Sequence, residues 1–342
     1  MRIALDATYS LGNALSGVGV YSREILFGLA DAQPETRFDF CYRPHRFAES
    51  RRESLGRNVR RRLLLDPIWP RWTDLFHGLN QRLPRIPMRR AVATFHDLFV
   101  LTGDYSTPEF RTRFAAQARD AAARADAIIA VSEFTKRQVV DLLGVESARV
   151  HVVQHGIRTL RLPAAEREKV VLNVGAIQKR KNIARLVAAF ERLPDAWRLV
   201  LAGSNGYGAE EILDRIAHSP ARERIWVTGY IPQQELAGWY ARARIFAFPS
   251  LDEGFGMPVL EAMAAGIPVV ISNRSALPEV AGDAALAVDP EDTDALAEAL
   301  LAVHSNNELG RELARRGAAR AQVFTWGKAV RETWEVYRQL LA

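Results

Sequence analysis

From Arg244 to Ile271 the chain reads as a strand, a glycine loop, a helix and a second strand. Arg244-Ile245-Phe246-Ala247-Phe248-Pro249-Ser250 has the unbroken apolar character of a buried strand. Val259 to Ala265 is rich in helix formers, with Gly266 as a stop and Pro268 as a breaker, and Val269-Val270-Ile271 is the next strand. That order is a βαβ crossover, right-handed in nearly all sheets, and it commits this part of the chain to a parallel sheet. Pro258 suits the first helical position, where its missing N–H costs nothing. Gly254 and Gly256 let the main chain approach a ligand, and N–H groups at a helix start favour an anion. Two carboxylates, Glu253 and Glu261, frame that anion site. An acid beside a phosphate repels it, so these two are suited to accept hydrogen bonds from hydroxyls. A ligand with a phosphate core and hydroxyls on both sides is a sugar nucleotide; the bland alternative is two solvated acids flanking a loop.

The chain has 342 residues, more than one typical core requires, so two domains are expected. Strands are predicted at Ile3–Leu5, Phe38–Tyr42, Leu75–His77, Val92–Phe95, Ile128–Val131 and Val150–Val153. Helices are predicted over Val18–Ala30, Glu109–Ala125 and Glu133–Leu143, with Ser132 capping the last and Gly144 ending it. A polar, strand-poor stretch from His155 to Lys169 reads as a linker. A second alternating set follows, and this pattern in each half argues for doubly wound parallel sheets.

After the second set's first strand lies Gly175-Ala176-Ile177-Gln178-Lys179-Arg180-Lys181-Asn182. Three adjacent cations between a strand and a helix are suited to a diphosphate, which they neutralise by charge-assisted hydrogen bonds. Ser16-Gly17-Val18-Gly19-Val20-Tyr21-Ser22 is a glycine turn opening a helix. As a dinucleotide fingerprint it is imperfect, and Asp39 sits inside the second strand rather than at its end. Tight helix packing is the structural reading of its glycines. His96 follows an apolar strand, where parallel sheets place ligands; His77 ends a strand without a comparable motif and reads as structural.

The run EGFGMPVLEAMAAGIPVV, with Glu253 and Glu261 as its paired acids, resembles the signature of retaining glycosyltransferases of family 4. The resemblance implies the α/β GT-B fold, two Rossmann-like doubly wound parallel-sheet domains facing across a cleft. Residues 1–157 would form the acceptor-side domain, 158–169 the linker and 170–325 the nucleotide-sugar domain, with 326–342 crossing back onto the first. It gives the donor sugar to Glu253 and the ribose to Glu261, with Gly254, Phe255, Gly256, Met257, Val259 and Leu260 also at the donor. The Gly175 loop is similar to the family's Gly, short loop, Arg-Lys-Asn pattern, which places Arg180 and Lys181 on the diphosphate and makes Asn182 a helix cap. Ala176 departs from members that carry Arg after the Gly. The glycine turn at Gly17 and Gly19 would face the donor phosphate, and His96 the transferred sugar.

On this reading a hexose, with mannose favoured, passes from a GDP- or UDP-linked donor to a glycan or lipid-linked acceptor with retention. His96, Glu253, Lys181 and Arg180 carry the catalysis. No obligatory metal is expected, because no Asp-x-Asp pair ends a strand in a ligand position and Asp292-x-Asp294 looks like a helix cap. The rival readings are a nucleotide-sugar 2-epimerase of the same fold and a non-catalytic nucleotide-sugar-binding protein.

Net charge is +6, and thirteen arginines against four acids fall between Arg43 and Arg90. Leu55, Val59 and Leu63 recur every fourth residue, so a helix here would show one apolar stripe and a basic remainder, followed by Trp69 and Trp72; a solvated surface helix is the plain alternative. Such a segment, Arg51 to Trp72, suits an anionic membrane surface; no nucleic-acid motif accompanies the charge, so nucleic acid is not expected. The single cysteine, Cys41, leaves no disulfide or zinc cluster, and no apolar run is long enough to span a membrane. A cytoplasmic enzyme, peripheral on the inner face of the membrane, is expected.

Overall fold

A computed structural model describes residues 1–12, 15–68, 73–157 and 161–342. The chain divides into two compact units: one of Met1–Leu101, Pro108–Gly156 and Thr325–Ala342, the other of Thr102–Thr107 and Ile157–Phe324.

The described residues of the first unit form a seven-stranded parallel sheet. Its strands are β1 (Arg2–Asp6), β2 (Arg37–Tyr42), β3 (Val59–Leu63), β4 (Leu75–Gly78), β5 (Ala91–Phe95), β6 (Ala127–Ala130) and β7 (Val150–Val152). They lie in the order β3-β2-β1-β4-β5-β6-β7, which reverses direction between β1 and β4. Helices α1 (Gly17–Ala32), α2 (Pro44–Ser50), α3 (Phe99–Thr102), α4 (Pro108–Arg124) and α5 (Glu133–Leu143) belong to the same stretch. Ser132 caps α5 by accepting from the Thr135 N–H at 3.0 Å, and Gly144 ends it at φ 66°.

The second unit is a six-stranded parallel sheet of β8 (Glu168–Val174), β9 (Arg198–Ala202), β10 (Ile225–Gly229), β11 (Ala243–Phe248), β12 (Val269–Ser272) and β13 (Leu286–Val288). Its order is β10-β9-β8-β11-β12-β13, with the reversal between β8 and β11. Helices α6 (Ile183–Phe190), α7 (Ala209–Ala217), α8 (Gln233–Arg242), α9 (Met257–Ala264), α10 (Leu277–Ala281), α11 (Thr293–Ser305) and α12 (Asn307–Ala321) complete it. Asp292 does cap α11, its carboxylate accepting from the Ala295 N–H at 2.9 Å.

Helix α13 (Trp326–Leu341) returns to the first unit, where it lies on α1. Gly28 of α1 makes that contact close: a Cβ there would stand 2.5 Å from Val330 Cγ2. Val330, Val336 and Tyr337 join the core around β1, β2 and α1. Each buried valine of this kind contributes about 1.5–3 kcal/mol relative to exposure.

Three expectations change. The basic helix through Leu55, Val59 and Leu63 is instead a turn followed by β3, an edge strand paired with β2 in the register Phe38↔Val59 to Tyr42↔Leu63. Sheet hydrogen bonds win over the four-residue period, and the arginines are partly consumed locally. Arg62 stands 3.5 Å from the buried Asp39, and Arg61 donates to the Ser50 and Glu53 carbonyls at 3.0 and 2.8 Å. The linker is shorter than residues 158–169, because β8 already begins at Glu168. The stretch Thr102–Thr107, assigned to the first domain by sequence order, clusters with the second unit. Trp69 and Trp72 lie outside the described residues, as do Arg158, Thr159 and Leu160 of the linker.

Candidate active site

In open parallel sheets ligands bind at the carboxyl ends of the strands where strand order reverses. In the second unit that point lies between β8 and β11, and the two motif loops emerge there: Gly175–Asn182 after β8 and Pro249–Gly256 after β11. Main-chain bonds stitch them together, with Leu251 N–H donating to the Arg180 carbonyl at 2.8 Å. Gly203 permits the close approach of the neighbouring β9 loop, since a Cβ there would lie 2.0 Å from the Gly175 carbonyl oxygen.

At the junction two cations converge on one carboxylate. Lys181 Nζ stands 2.5 Å from Glu253 Oε1 and Arg180 Nη1 3.0 Å from Glu253 Oε2. All three residues are buried, at 7–8% exposure. Arg180 also donates to the Asp252 carbonyl, and the Lys181 ammonium lies 4.7 Å from the centre of the Phe248 ring. Gly175, at φ 149°, leaves room for the lysine stem: a Cβ would meet Lys181 Cε at 3.3 Å. Burial alone would raise the Glu253 carboxyl, but Arg180 and Lys181 overturn that and hold it at about 2. Arg180, Lys181 and Glu253 together carry one net positive charge, with the buried Asp252 carboxylate next in the chain. The cluster can receive an anion while Glu253 fixes where the cations point.

Glu253, expected to accept from sugar hydroxyls, accepts here from Arg180 and Lys181. Glu261, on α9, accepts from Tyr240 Oη at 2.8 Å, a partner on α8 that no motif announced. Asn182 does not cap α6 with its side chain. It sits at φ 58°, a conformation asparagine tolerates, and its Nδ2 donates to the Pro249 and Pro290 carbonyls at 3.1 and 2.6 Å.

Along the Gly254–Glu261 run most side chains face inward. Phe255 is buried with its ring edge-on to Phe324 at 5.8 Å, and Val259 and Leu260 are fully buried. Any donor contact from these three is therefore through main chain. Gly256, at φ 107°, begins α9 where a Cβ would strike Leu277 Cδ2 at 2.7 Å. The helix start offers fewer amides than expected, because Pro258 has none and the Val259 N–H donates to the Gly256 carbonyl at 3.0 Å. Met257 is half-buried.

The remaining candidates lie in the first unit. Gly17 and Gly19 open α1, where Ser16 Oγ accepts from the Gly19 N–H at 3.3 Å. A Cβ on Gly19 would stand 2.8 Å from the Tyr9 carbonyl oxygen, so packing alone demands this glycine. His96 is buried beside Tyr21, whose ring meets it edge-on at 4.7 Å, and it stacks on His155 at 5.4 Å. Burial lowers its pKa to about 4 although the Leu79 carbonyl, accepting from Nε2 at 3.0 Å, works the other way. His96 is thus a neutral imidazole with Nδ1 carrying the lone pair. His77 is structural as expected, bonded through Nε2 to Thr94 Oγ1 at 2.8 Å and through Nδ1 to Tyr337 Oη. His155, read as linker, is instead part of this buried cluster.

Among the described residues no group of three or more His, Cys, Asp or Glu side chains is placed to hold a metal ion. No helix among them is long and apolar enough to cross a membrane.

Two parallel-sheet units of this topology, with a cation–carboxylate cluster at a strand-order switch, are the arrangement expected of a GT-B glycosyltransferase. The comparisons agree: a family model described as Glycosyl transferases group 1 matches residues 161–320, and one described as Glycosyltransferase Family 4 matches residues 15–161. O-antigen chain mannosyltransferase B of Escherichia coli is 32% identical over 286 residues, covering 78% of this chain and 74% of that protein. Sucrose-phosphate synthase from Thermosynechococcus elongatus superposes with a TM-score of 0.77 at 22% identity, over 99% of this chain and 98% of that one. Anabaena HepE, solved in complex with UDP-glucose, gives 0.72 at 16% identity over 99% and 98%. The chain belongs to the group 1, family 4 glycosyltransferases of the GT-B superfamily. It is a glycosyltransferase.

Proposed function

We propose that the enzyme transfers mannose from a nucleotide diphosphate sugar, GDP-mannose in the first instance, to a hydroxyl of a growing polysaccharide, with retention and without an obligatory metal. The observation that carries this reading is the buried Arg180–Lys181–Glu253 cluster at the switch point of the second unit. Mannose is favoured by the likeness to the Escherichia coli O-antigen mannosyltransferase, and a nucleotide diphosphate donor by the likeness to HepE. The bond from the anomeric carbon to the phosphoryl oxygen breaks, and its electron pair stays on the diphosphate. The acceptor oxygen bonds to the same face of that carbon, and its proton passes to the departing phosphoryl oxygen. Arg180 and Lys181 hold the diphosphate as its charge grows, so the protein acts by position and electrostatics. Glu253 sets the two cations, and Glu261, which accepts from Tyr240, takes the ribose hydroxyls. His96, neutral in the first unit, keeps an Nδ1 lone pair able to accept from a hydroxyl.

The test is turnover of GDP-mannose with a mannosylated acceptor. The expected product is an α-linkage from the α-linked donor by NMR, at a rate unchanged by EDTA. An inverted anomer, or complete loss with EDTA restored by Mn²⁺, overturns the retaining, metal-independent assignment. Conversion of donor with no acceptor present points to an epimerase. A melting-temperature panel of other nucleotide sugars identifies the donor, since a ligand at a hundred times its Kd stabilises by about 2.7 kcal/mol.

The acceptor reading extends to the surface. Arg51, Arg52, Arg57 and Arg60 are exposed on the first unit, and so are Leu65 and Ile68. Exposed guanidinium groups and exposed aliphatic side chains within one stretch suit an anionic lipid surface carrying a lipid-linked acceptor. The wild type is expected to sediment with phosphatidylglycerol vesicles and not with phosphatidylcholine ones. Replacing these four arginines by glutamine is expected to abolish sedimentation while turnover of a water-soluble acceptor persists. Equal sedimentation of both proteins removes the membrane reading.

A further inference from the structure

The stretch Thr102–Thr107 comes from between two segments of the first unit, yet it is part of the second. Thr102 Oγ1 donates to Asp252 Oδ2 at 2.9 Å. Asp252 is buried, immediately precedes Glu253, and gives its carbonyl to Arg180. The strap is therefore fastened one residue from the carboxylate that organises the cations. Its next residue fixes a ring: a Cβ on Gly103 would stand 2.5 Å from Tyr105 Cε2 and 3.0 Å from Cζ. Only a glycine lets the tyrosine fold back at that point. The half-buried phenol then lies in the field of Asp252 and Arg180, with Glu291 and Arg274 also contributing. Burial comes first in raising its pKa, and Asp252 adds to it, so the hydroxyl keeps its proton at neutral pH and can act as a donor.

We propose that Tyr105 is a donor-binding residue, carried on the strap that Thr102 fastens to Asp252 and shaped by Gly103, and that its hydroxyl donates a hydrogen bond to the diphosphate of the bound nucleotide sugar. This rests on the assignment of Arg180 and Lys181 to that diphosphate. A neutral donor aimed at an oxygen that gains charge is worth more in the transition state than in the ground state. Thr102 is a positioning residue in this scheme, acting through Asp252, and Gly103 supplies the space.

The experiment is steady-state kinetics on Tyr105→Phe, Gly103→Ala, their double variant, Thr102→Val, Thr102→Ser and Lys181→Ala, each with its melting temperature. Tyr105→Phe is expected to lose roughly ten- to a hundredfold in kcat/KM, mostly in kcat, with an unchanged melting temperature. Gly103→Ala is expected to lose activity by displacing the ring, and the double variant to be no worse than the poorer single one. Thr102→Ser is expected to keep activity that Thr102→Val loses. If Tyr105→Phe stays within twofold of wild type, or changes only the melting temperature, the inference falls. It falls alone if Lys181→Ala is nonetheless crippled; if Lys181→Ala is also active, the diphosphate assignment beneath it has failed.

Discussion

Lys181→Ala is expected to lower kcat/KM by about 10²-fold or more, the scale at which removal of a single charge-stabilising donor acts. Its ammonium is buried 2.5 Å from Glu253 Oε1 and held over Phe248, so its position is set before any ligand arrives. A preset cation loses little reorganisation energy when the diphosphate gains charge, and alanine replaces it with a void beside Gly175. The loss is expected chiefly in kcat. Stability is expected to fall too, because Glu253 keeps only Arg180 against its own burial. Kinetics and melting of the same preparation check both parts, and a variant within threefold of wild type removes Lys181 from the site.

The second large effect separates the two glutamates. Glu253→Gln keeps the shape but removes the one negative charge between two buried cations. Breaking such a pair from one side costs roughly 3–5 kcal/mol, visible as a lowered melting temperature. The uncompensated cations should bind nucleoside diphosphate more tightly while kcat falls, because they are no longer held where charge develops. Glu261→Gln keeps an oxygen that can accept from Tyr240, and the ribose it is proposed to meet changes little during reaction. Its expected effect is a raised KM with kcat nearly intact. Isothermal titration with the nucleoside diphosphate and kinetics on both variants decide the matter. Weaker diphosphate binding by Glu253→Gln with normal kcat reverses the roles. Acid adds an independent check. The Glu253 carboxyl lies near 2, below its ordinary 4.5, so its stabilisation is complete above pH 4.5 and is lost as pH falls from there toward 2. Wild type should lose its stability advantage over Glu253→Gln across that window.

Much of the fold was legible because local signals agreed with tertiary packing. The helix at Glu133–Leu143, with Ser132 and Gly144 at its ends, needed nothing from the rest of the chain. The paired acids and the cation loop were legible as motifs for the same reason. The region from Leu55 to Leu63 was not, because its apolar spacing fits a helix and only pairing with β2 makes it a strand. The partners of the site residues were equally hidden. Glu253 meets cations 72 and 73 positions earlier in the sequence, and Glu261 meets a tyrosine on another helix. Residue type announces that a carboxylate can accept hydrogen bonds; it does not announce which donor the fold delivers. The displacement of Thr102–Thr107 into the second unit had no local signature, since its polar, glycine-containing sequence is that of any loop.

The return of α13 to the first unit bears on the order in which the molecule can be assembled. Val330, Val336 and Tyr337 are core residues of the unit that begins at Met1, and Gly156 meets the main chain of Trp326 so closely that a Cβ would lie 2.2 Å from its nitrogen. On the ribosome, the half that emerges first is therefore the half that must wait. Apart from Thr102–Thr107, the second unit runs continuously from Ile157 to Phe324 and can close as soon as its last strands and helices are made. The first cannot complete the core around α1, β1 and β2 until translation has passed Tyr337.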